Sequence, residues 1–273
     1  MGNTPIELYL DLMSRTVSNT IYEDPQIDPR RYWELLRERD GDGTGPVMDG
    51  PGNWSAYDSE GREQGSVWPR DAHTMVGMRR LRNVRECAER VLADGVPGDF
   101  METGVWRGGT CIFMRAVLAA YEVSDRVVWV ADSFAGIPAP DLDRYPQDEE
   151  ARGIESVNEV VGVPLETVRG NFDRYGLLDD QVRFLPGRFC DTLPEAPVER
   201  LALLRLDGDL YESTMDALVS MYPKLSPGGY LIVDDYHALD VCKKAVHDYR
   251  DQHGIDDPIT DIDWSGAYWR KSA

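Results

Sequence analysis

The sequence predicts an α/β protein with a mostly parallel, doubly wound sheet. Short and almost continuously apolar runs alternate with amphipathic segments from residue 99 onward. Strands of this kind are typical of a parallel sheet that is covered by helices on both faces. The final run, ITDIDWSGAYWR, divides around a turn at residues 263–266. This division predicts an antiparallel hairpin that closes the C-terminal edge of the sheet.

Five apolar runs are the predicted strands of the main sheet. They are DFMET (99–103), RVVWVADS (126–133), QVRFLPG (181–187), LALLRLDGD (201–209) and GYLIVDDY (229–236). The segments between them, 109–121, 165–175, 211–222 and 239–251, have the composition of amphipathic helices. Another helix is predicted over 75–93, because apolar residues recur there at helical spacing and stop at Asp94 and Gly95.

The N-terminal part of the chain differs from the rest in texture, so residues 1–70 are predicted to be an appendage and residues 71–273 the main domain. The appendage contains a helical candidate at 28–39. Residues 41–65 include seven glycines and two prolines without an apolar period. This composition predicts a loop or a lid rather than a regular element.

Charge and hydropathy exclude several kinds of partner. Against 29 Lys and Arg the chain has 49 Asp and Glu, a formal charge of −20, which disfavours nucleic acid and anionic lipid. There is no apolar stretch of bilayer length and no leader-like N-terminus, so we expect a cytoplasmic protein without a membrane partner. The four cysteines are widely spaced without a C-x-x-C pair, which predicts reduced thiols.

The loop after the first predicted strand is the first candidate ligand site, since ligands of such sheets bind at the carboxyl ends of strands. Glu102 ends the strand and Gly104 and Gly108 follow, so a ligand could approach the backbone closely. Trp106 interrupts a G-x-G-x-x-G fingerprint and disfavours a nicotinamide cofactor. Glu102 instead suits a cationic group such as an α-ammonium. A plain tight strand-helix turn is the alternative.

The next two strand ends carry residues suited to a nucleoside. Asp132 could accept hydrogen bonds from ribose hydroxyls, while Ser133 and Phe134 follow it and the aromatic ring could stack on a purine. Asp191, after the third strand, could accept from an exocyclic amine. It could equally cap a helix that begins near Thr192.

Four aspartates follow the last two parallel strands. Asp207 and Asp209 lie on the same side if the strand persists that far, and Asp234 and Asp235 end the next strand. Four neighbouring carboxylates repel one another unless a cation or proton intervenes. Oxygen ligands select Mg²⁺, with Mn²⁺ or Ca²⁺ as substitutes, although acids solvated in loops are the alternative. His237 beside them could contact the substrate or act as a base, or could be an ordinary surface histidine.

The residues between about 69 and 254 resemble the macrocin O-methyltransferase family, the metal-dependent sugar O-methyltransferases of macrolide and aminocoumarin antibiotic biosynthesis. The matching phrases are AHTMVGMRRL, ETGVWRGGTCIFMRAVL, VWVADSFAG, NFDRYGLLDDQVRF, LPGRFCDTLPEAPVERLALLRLDGDLYESTMDAL and YPKLSPGGYLIVDDY. The resemblance implies a class I methyltransferase fold that binds S-adenosylmethionine. It further implies Mg²⁺ on the acids Asp207, Asp234 and Asp235, with Asp209 as the general base.

The resemblance also implies contacts for the methyl donor and the acceptor. Donor contacts are expected at Thr74, Met75, Glu102, Gly104, Gly108, Asp132, Ser133, Phe134 and Asp191. Acceptor contacts are expected at Tyr211 and His237. The sequence departs from the family pattern at Arg188, Cys190 and His237, which leaves the adenine rim and the sugar pocket open.

The function implied is Mg²⁺-dependent methylation of a deoxysugar hydroxyl in a glycosylated natural product. A metal-dependent O-methyltransferase that acts on an aromatic diol is the nearest alternative. A non-catalytic nucleotide-binding protein and a nicotinamide dehydrogenase are more distant ones. Base rates for soluble enzymes favour a homodimer.

Overall fold

A computed structural model of the chain describes residues 4–38 and 53–272, with only the backbone given for residues 36–38. The helices are α1 Pro5–Val17, α2 Pro29–Glu38, α3 Ser59–Gln64, α4 Met78–Ala93, α5 Gly109–Ala120, α6 Asn158–Val161, α7 Leu165–Arg174, α8 Phe189–Thr192, α9 Tyr211–Met221 and α10 Asp240–His253. Short 3₁₀ helices cover Pro146–Ala151, Ile154–Val157 and Tyr222–Lys224. The strands are β1 Gln26–Ile27, β2 Trp68–Pro69, β3 Asp99–Thr103, β4 Val128–Asp132, β5 Val182–Pro186, β6 Leu201–Leu206, β7 Leu225–Val233, β8 Thr260–Asp261 and β9 Ala267–Arg270.

The central sheet has seven strands in the order β5-β4-β3-β6-β7-β9-β8. The first five are parallel, and β9 runs antiparallel to both β7 and β8. The parallel α/β sheet and its C-terminal antiparallel hairpin are therefore confirmed. The chain winds outward from β3 in one direction and from β6 in the other, so a topological switch point lies between their carboxyl ends.

Helices cover the sheet on both faces. Alternate residues of each central strand point to opposite cores, as Phe100 and Met101 show. The first core contains the apolar faces of α1, α4, α5 and α7, and the second contains those of α9 and α10. Helix α1 buries Leu10 and Val17 in the first core, so the start of the predicted appendage packs into the main domain.

One prediction for the glycine-rich segment was wrong. Residues 59–64 form α3, because the Asp58 side chain accepts a hydrogen bond from the Glu60 backbone and Gly65, with φ of +65°, ends the helix. The part of the predicted loop at 41–52 lies outside the described residues.

Helix α4 begins at Met78, later than the predicted residue 75, because Gly77 has an extended backbone. The residues just before Met78 are therefore not part of the helix and can line a cavity.

A bilayer span would need a long and strongly apolar helix. Across residues 4–38 and 53–272, no helix meets both requirements.

Candidate active site

A cavity of about 360 Å³ lies at the carboxyl ends of the central strands. It is the place where the switch point of an open α/β sheet is expected to bind ligands. Ten of the residues singled out from the sequence line its wall: Thr74, Met75, Glu102, Gly104, Asp132, Ser133, Asp207, Asp209, Asp234 and Asp235. The structure therefore brings the expected donor contacts and the four aspartates into one cavity.

Two expected donor contacts instead serve the packing of the protein. The Phe134 ring is buried with its centroid 6.3 Å from that of Phe184, and it does not line the cavity. Gly108 has φ of +84°, and a Cβ there would lie 2.7 Å from Val168. Its lack of a side chain lets α7 pack against the loop, and Gly108 itself does not line the cavity.

Asp191 and Tyr211 also lie outside the cavity wall. The single turn α8 turns Arg188, Phe189 and Cys190 toward the cavity and leaves Asp191 exposed to solvent. Tyr211 begins α9, and its hydroxyl donates to Asp248 on α10 at 2.9 Å. The expected roles of Asp191 at the adenine and of Tyr211 at the acceptor are not supported by this placement.

The loop after β3 is held by the Asp132 carboxylate. Its Oδ2 accepts from the Val105 backbone at 2.7 Å, and its Oδ1 accepts from the Phe134 backbone at 2.8 Å. Burial raises the pKa of Asp132, although these backbone donors act in the opposite direction. Gly104 in the same loop has φ of +83°, and a Cβ there would lie 1.6 Å from the Asp207 carbonyl oxygen. Only glycine fits this crossing of the two strand ends.

The acids after β6 and β7 form the polar end of the cavity. Asp207, Asp234 and Asp235 each offer a carboxylate oxygen, and these oxygens lie within 4.8 Å of one another. The strand does not persist as far as Asp207 and Asp209, so strand alternation does not place these two side chains: β6 ends at Leu206, and Asp209 has φ of +64°. Both nevertheless line the cavity. A non-glycine residue in this conformation is strained, which is common at functional sites.

Two buried arginines lie among these acids, and sequence reasoning missed both. Arg205 donates to Glu102, to Asp207 at 2.8 Å and to Asp234. Arg80, from α4, donates to Asp234 as well. The carboxylates therefore do not depend on a bound cation or a proton alone to remain together, because the two guanidinium groups already offset part of their negative charge. Arg205 interrupts the apolar run LALLRL. A cation within a buried strand is rarely left unpaired, so this residue was the sequence signal that could have revealed a buried ion pair.

The pKa values separate the acids into two groups. Burial tends to raise the pKa of Asp234, but Arg205 and Arg80 outweigh it and lower the value. Burial and neighbouring acids raise the pKa of Asp209 to about 7 and place that of Asp235 well above its ordinary value. Burial, followed by Asp234, also raises the pKa of Asp207 to about 6. The acids with the weakest arginine compensation are thus the strongest proton acceptors.

The triad of Asp207, Asp234 and Asp235 fits a divalent cation. Among the residues that the structure describes, none gives a hydrogen bond to the buried Asp235 Oδ2, and such an atom is costly unless something binds it. The donor set is made of oxygens alone, which suits Mg²⁺.

A second polar wall was not found from the sequence. Arg188 donates to Glu212 at 2.8 Å, and both residues line the cavity together with Cys190 and Asp216. Glu212 and Asp216 are one turn apart on α9, and Tyr145 donates to Asp216 at 3.2 Å. Arg188, where the sequence departs from the family pattern, is thus paired with an acid on the next helix, Glu212 on α9.

His237 lies in a second cavity of about 470 Å³ rather than in the first. Its Nε2 is 2.8 Å from Asp261 Oδ1 on β8. The two cavities adjoin, because both are lined by Trp33, Ile154, Ala238 and Leu239. A ligand that fills the first cavity would therefore lie next to the second.

Comparison with known proteins decides the family. The family model for macrocin-O-methyltransferase (TylF) matches residues 6–271. The chain belongs to this family. It is therefore an O-methyltransferase, with a class I methyltransferase fold and S-adenosylmethionine as the methyl donor.

Relatives of this O-methyltransferase are similar over nearly their whole length. It is 54% identical over 273 residues to mycinamicin III 3''-O-methyltransferase of Micromonospora griseorubida, covering 99% of each chain. It is 55% identical over 267 residues to 8-demethyl-8-(2,3-dimethoxy-alpha-L-rhamnosyl)-tetracenomycin-C 4'-O-methyltransferase of Streptomyces olivaceus, covering 98% of this chain and 94% of the relative. The solved structure of the O-methyltransferase NovP matches with a TM-score of 0.86 at 48% identity, covering 98% of this chain and 100% of NovP.

Replacing Gly104 with alanine should remove donor binding and destabilise this methyltransferase. The new Cβ would meet a backbone carbonyl, which cannot move as a flexible side chain can. We expect the melting temperature to fall by more than about 10 °C and calorimetric binding of S-adenosylmethionine to disappear. Gly95→Ala is the matched control, since Gly95 has φ of +64° but no atom of the described residues lies within 4 Å of the new Cβ. Equal losses of stability in the two variants would show that the positive φ alone causes the effect, and that the close contact of residue 104 with the Asp207 carbonyl does not.

Proposed function

We propose that the protein methylates a deoxysugar hydroxyl of a glycosylated small molecule in antibiotic biosynthesis, with Mg²⁺ bound at the acid triad. The observation that carries this proposal is the position of Asp209 beside Asp207, Asp234 and Asp235, in the cavity that also contains the expected donor contacts. A proton acceptor, a cation site and a donor site then meet in one place. These are the parts that an alcohol needs to attack a methyl group.

The donor would lie against the ends of β3 and β4. Asp132 would accept from ribose hydroxyls through its remaining lone pairs, while its contacts with the Val105 and Phe134 backbone fix the loop. Glu102 is held from two sides, because Oε1 accepts from Arg205 and Oε2 accepts from Cys111 at 2.8 Å. An α-ammonium would therefore share a carboxylate oxygen with one of these donors, which the second lone pair of the oxygen permits. Arg205 and Cys111 keep Glu102 from rotating.

Proton removal is the task of Asp209. An aliphatic hydroxyl is a poor nucleophile at neutral pH. Asp207, Asp234 and Asp235 would hold a divalent cation, which would supply Lewis acidity and so lower the pKa of the hydroxyl. The Asp209 carboxylate accepts the hydroxyl proton as the oxygen bonds to the methyl carbon and the carbon–sulfur bond breaks. The products are the methyl ether, S-adenosylhomocysteine and a protonated Asp209. The protein otherwise holds the two reactants in line, which can contribute about 7–11 kcal/mol.

The rest of the acceptor would occupy the second cavity. The sugar must reach Asp209 in the first cavity, while the aglycone or a further sugar needs a connected space outside it. The adjoining cavity provides this space, with Trp33 at the junction and His237 in its wall. The names of the Micromonospora and Streptomyces olivaceus relatives refer to mycinamicin III and to a rhamnosyl tetracenomycin as acceptors. We assign His237 to acceptor binding on this basis.

The assembly of the protein as a homodimer remains a prediction.

A panel of acceptors tests the proposal. The purified protein with Mg²⁺ and methyl-deuterated S-adenosylmethionine should transfer label to mycinamicin III or to the rhamnosyl tetracenomycin named above, as read by mass spectrometry. Catechol should take up label at least about 100-fold more slowly, because it fills neither the sugar position nor the second cavity. Labelled catechol with unlabelled glycosides would contradict the proposal and favour an aromatic diol as substrate.

A further inference from the structure

Asp234 differs from the other two acids of the triad in how it is bonded. Its Oδ1 accepts from Arg205 and its Oδ2 accepts from Arg80. Asp207 has an arginine on Oδ2 through Arg205. Asp235 Oδ2 has no hydrogen-bond partner within residues 4–38 and 53–272. A cation that binds Asp234 must therefore either share an oxygen with a guanidinium group or take its place.

The two arginines are not equivalent. Arg205 belongs to the central strand β6, its side chain is 0% exposed, and each of its hydrogen bonds goes to an acid of the site. Arg80 comes from α4, and Asp234 is just one of its three partners. Its Nε donates to Asp263 Oδ2 at 3.0 Å and its Nη2 donates to the Gly65 carbonyl at 3.0 Å. Arg80 would stay anchored outside the group of acids if it released Asp234. Arg205 would keep Glu102 and Asp207, and both of these acids belong to the site itself.

We propose that Arg80 is a positioning residue and the internal counter-charge of the metal site. It holds Asp234 in place in the metal-free protein, and it is the positive charge against which a divalent cation binds. This inference rests on the metal site proposed above. It explains how a buried group of acids stays assembled before a cation arrives. It also links the site to the C-terminal hairpin through Asp263 and to the end of α3 through Gly65.

Two opposite effects follow from removing this charge. A charge in direct contact with a ligand carboxylate acts at short range and in a buried place, where screening by solvent is weak. Losing it should therefore tighten cation binding. The same loss leaves Asp234 with less compensation in the metal-free protein, and an uncompensated buried charge is destabilising. A residue with a purely structural role would weaken both properties together.

The experiment compares Arg80→Gln with wild type by calorimetric titration of MgCl₂, without methyl donor or acceptor, and by thermal unfolding in EDTA. Glutamine keeps a hydrogen-bond donor and loses the charge. We expect Mg²⁺ binding at least about tenfold tighter and a lower metal-free melting temperature. Arg80→Lys keeps the charge, although a lysine cannot reproduce the three separate hydrogen bonds of the guanidinium group. Because the charge is what opposes the cation, its Mg²⁺ affinity should stay within about threefold of wild type. Arg82→Gln is the matched control, since Arg82 lies on the same helix, is half exposed and pairs with Glu63. It should change neither property.

The outcomes separate this inference from the proposed metal site. Wild-type Mg²⁺ binding with equal or weaker affinity in Arg80→Gln would overturn the role of Arg80 alone. No Mg²⁺ binding by either protein would overturn the metal site and the inference together. If Arg80→Gln does not fold, the wild type decides: its near-UV circular dichroism in EDTA should match that with Mg²⁺. A loss of that signal on chelation would show that Arg80 does not assemble the site, and would overturn the inference.

Discussion

Replacing Asp209 with asparagine should lower turnover by about 10²–10⁴-fold while the protein stays folded, because general-base catalysis contributes on that scale. The carboxylate lines the cavity beside the acid triad, and its pKa is raised to about 7 by burial and then by Asp207, Asp234 and Asp132. The asparagine amide cannot accept the hydroxyl proton. Steady-state methylation of a glycoside, followed by mass spectrometry, measures the loss.

Asparagine is the suitable replacement for a structural reason. Asp209 has φ of +64°, a conformation that asparagine and aspartate adopt more readily than other residues with side chains. The variant should keep its melting temperature and its affinity for S-adenosylmethionine. Asp125→Asn is the control, since Asp125 is exposed in the loop before β4, at the opposite end of that strand from the cavity. Retention of more than about a tenth of wild-type turnover would remove Asp209 as the base.

The sheet could be predicted from the sequence because its strands are buried on both faces. Each residue of β6 is buried, and such runs have a hydropathy signal that does not depend on distant contacts. Strand ends were less predictable. Strand β7 begins at Leu225, four residues before the predicted start, because Leu225 pairs with Leu201 across an irregularity in the ladder. That pairing joins residues 24 positions apart, and periodicity within the strand does not encode it.

The residues at the cavity were predictable where backbone topology alone decides their place. Glu102, Asp132 and Asp207 follow directly from the rule that ligands bind at carboxyl ends of strands. Side-chain direction after the strand ends was not predictable. Phe134 has φ of +53°, and this turn directs its ring into the core. Arg80 reaches the site from a helix more than 100 residues before Asp234, and a periodic helix pattern does not show which polar residue faces inward.

Chelation of divalent cations should lower methyl transfer by at least about 100-fold, and added Mg²⁺ should restore it. The acceptor hydroxyl would otherwise face Asp209 and a set of acids that the two arginines compensate only in part. The measurement is turnover after dialysis against EDTA, then after return of MgCl₂ or MnCl₂. Full activity in EDTA would eliminate the cation from the reaction and leave Asp209 to deprotonate the hydroxyl alone.

Asp235→Asn separates loss of the cation from loss of the fold. Asp235 Oδ2 is buried and has no hydrogen-bond partner in the described part of the chain. Burial, together with the charges of Asp209 and Asp207, raises the pKa of Asp235 well above its ordinary value. Removing this carboxylate therefore removes repulsion from the metal-free protein, and the melting temperature in EDTA should stay equal or rise. The same change takes one of three oxygen ligands from the triad, so the response of turnover and melting temperature to Mg²⁺ should disappear. A variant that lost stability in EDTA but kept its response to Mg²⁺ would show that Asp235 supports the fold and that the cation binds elsewhere.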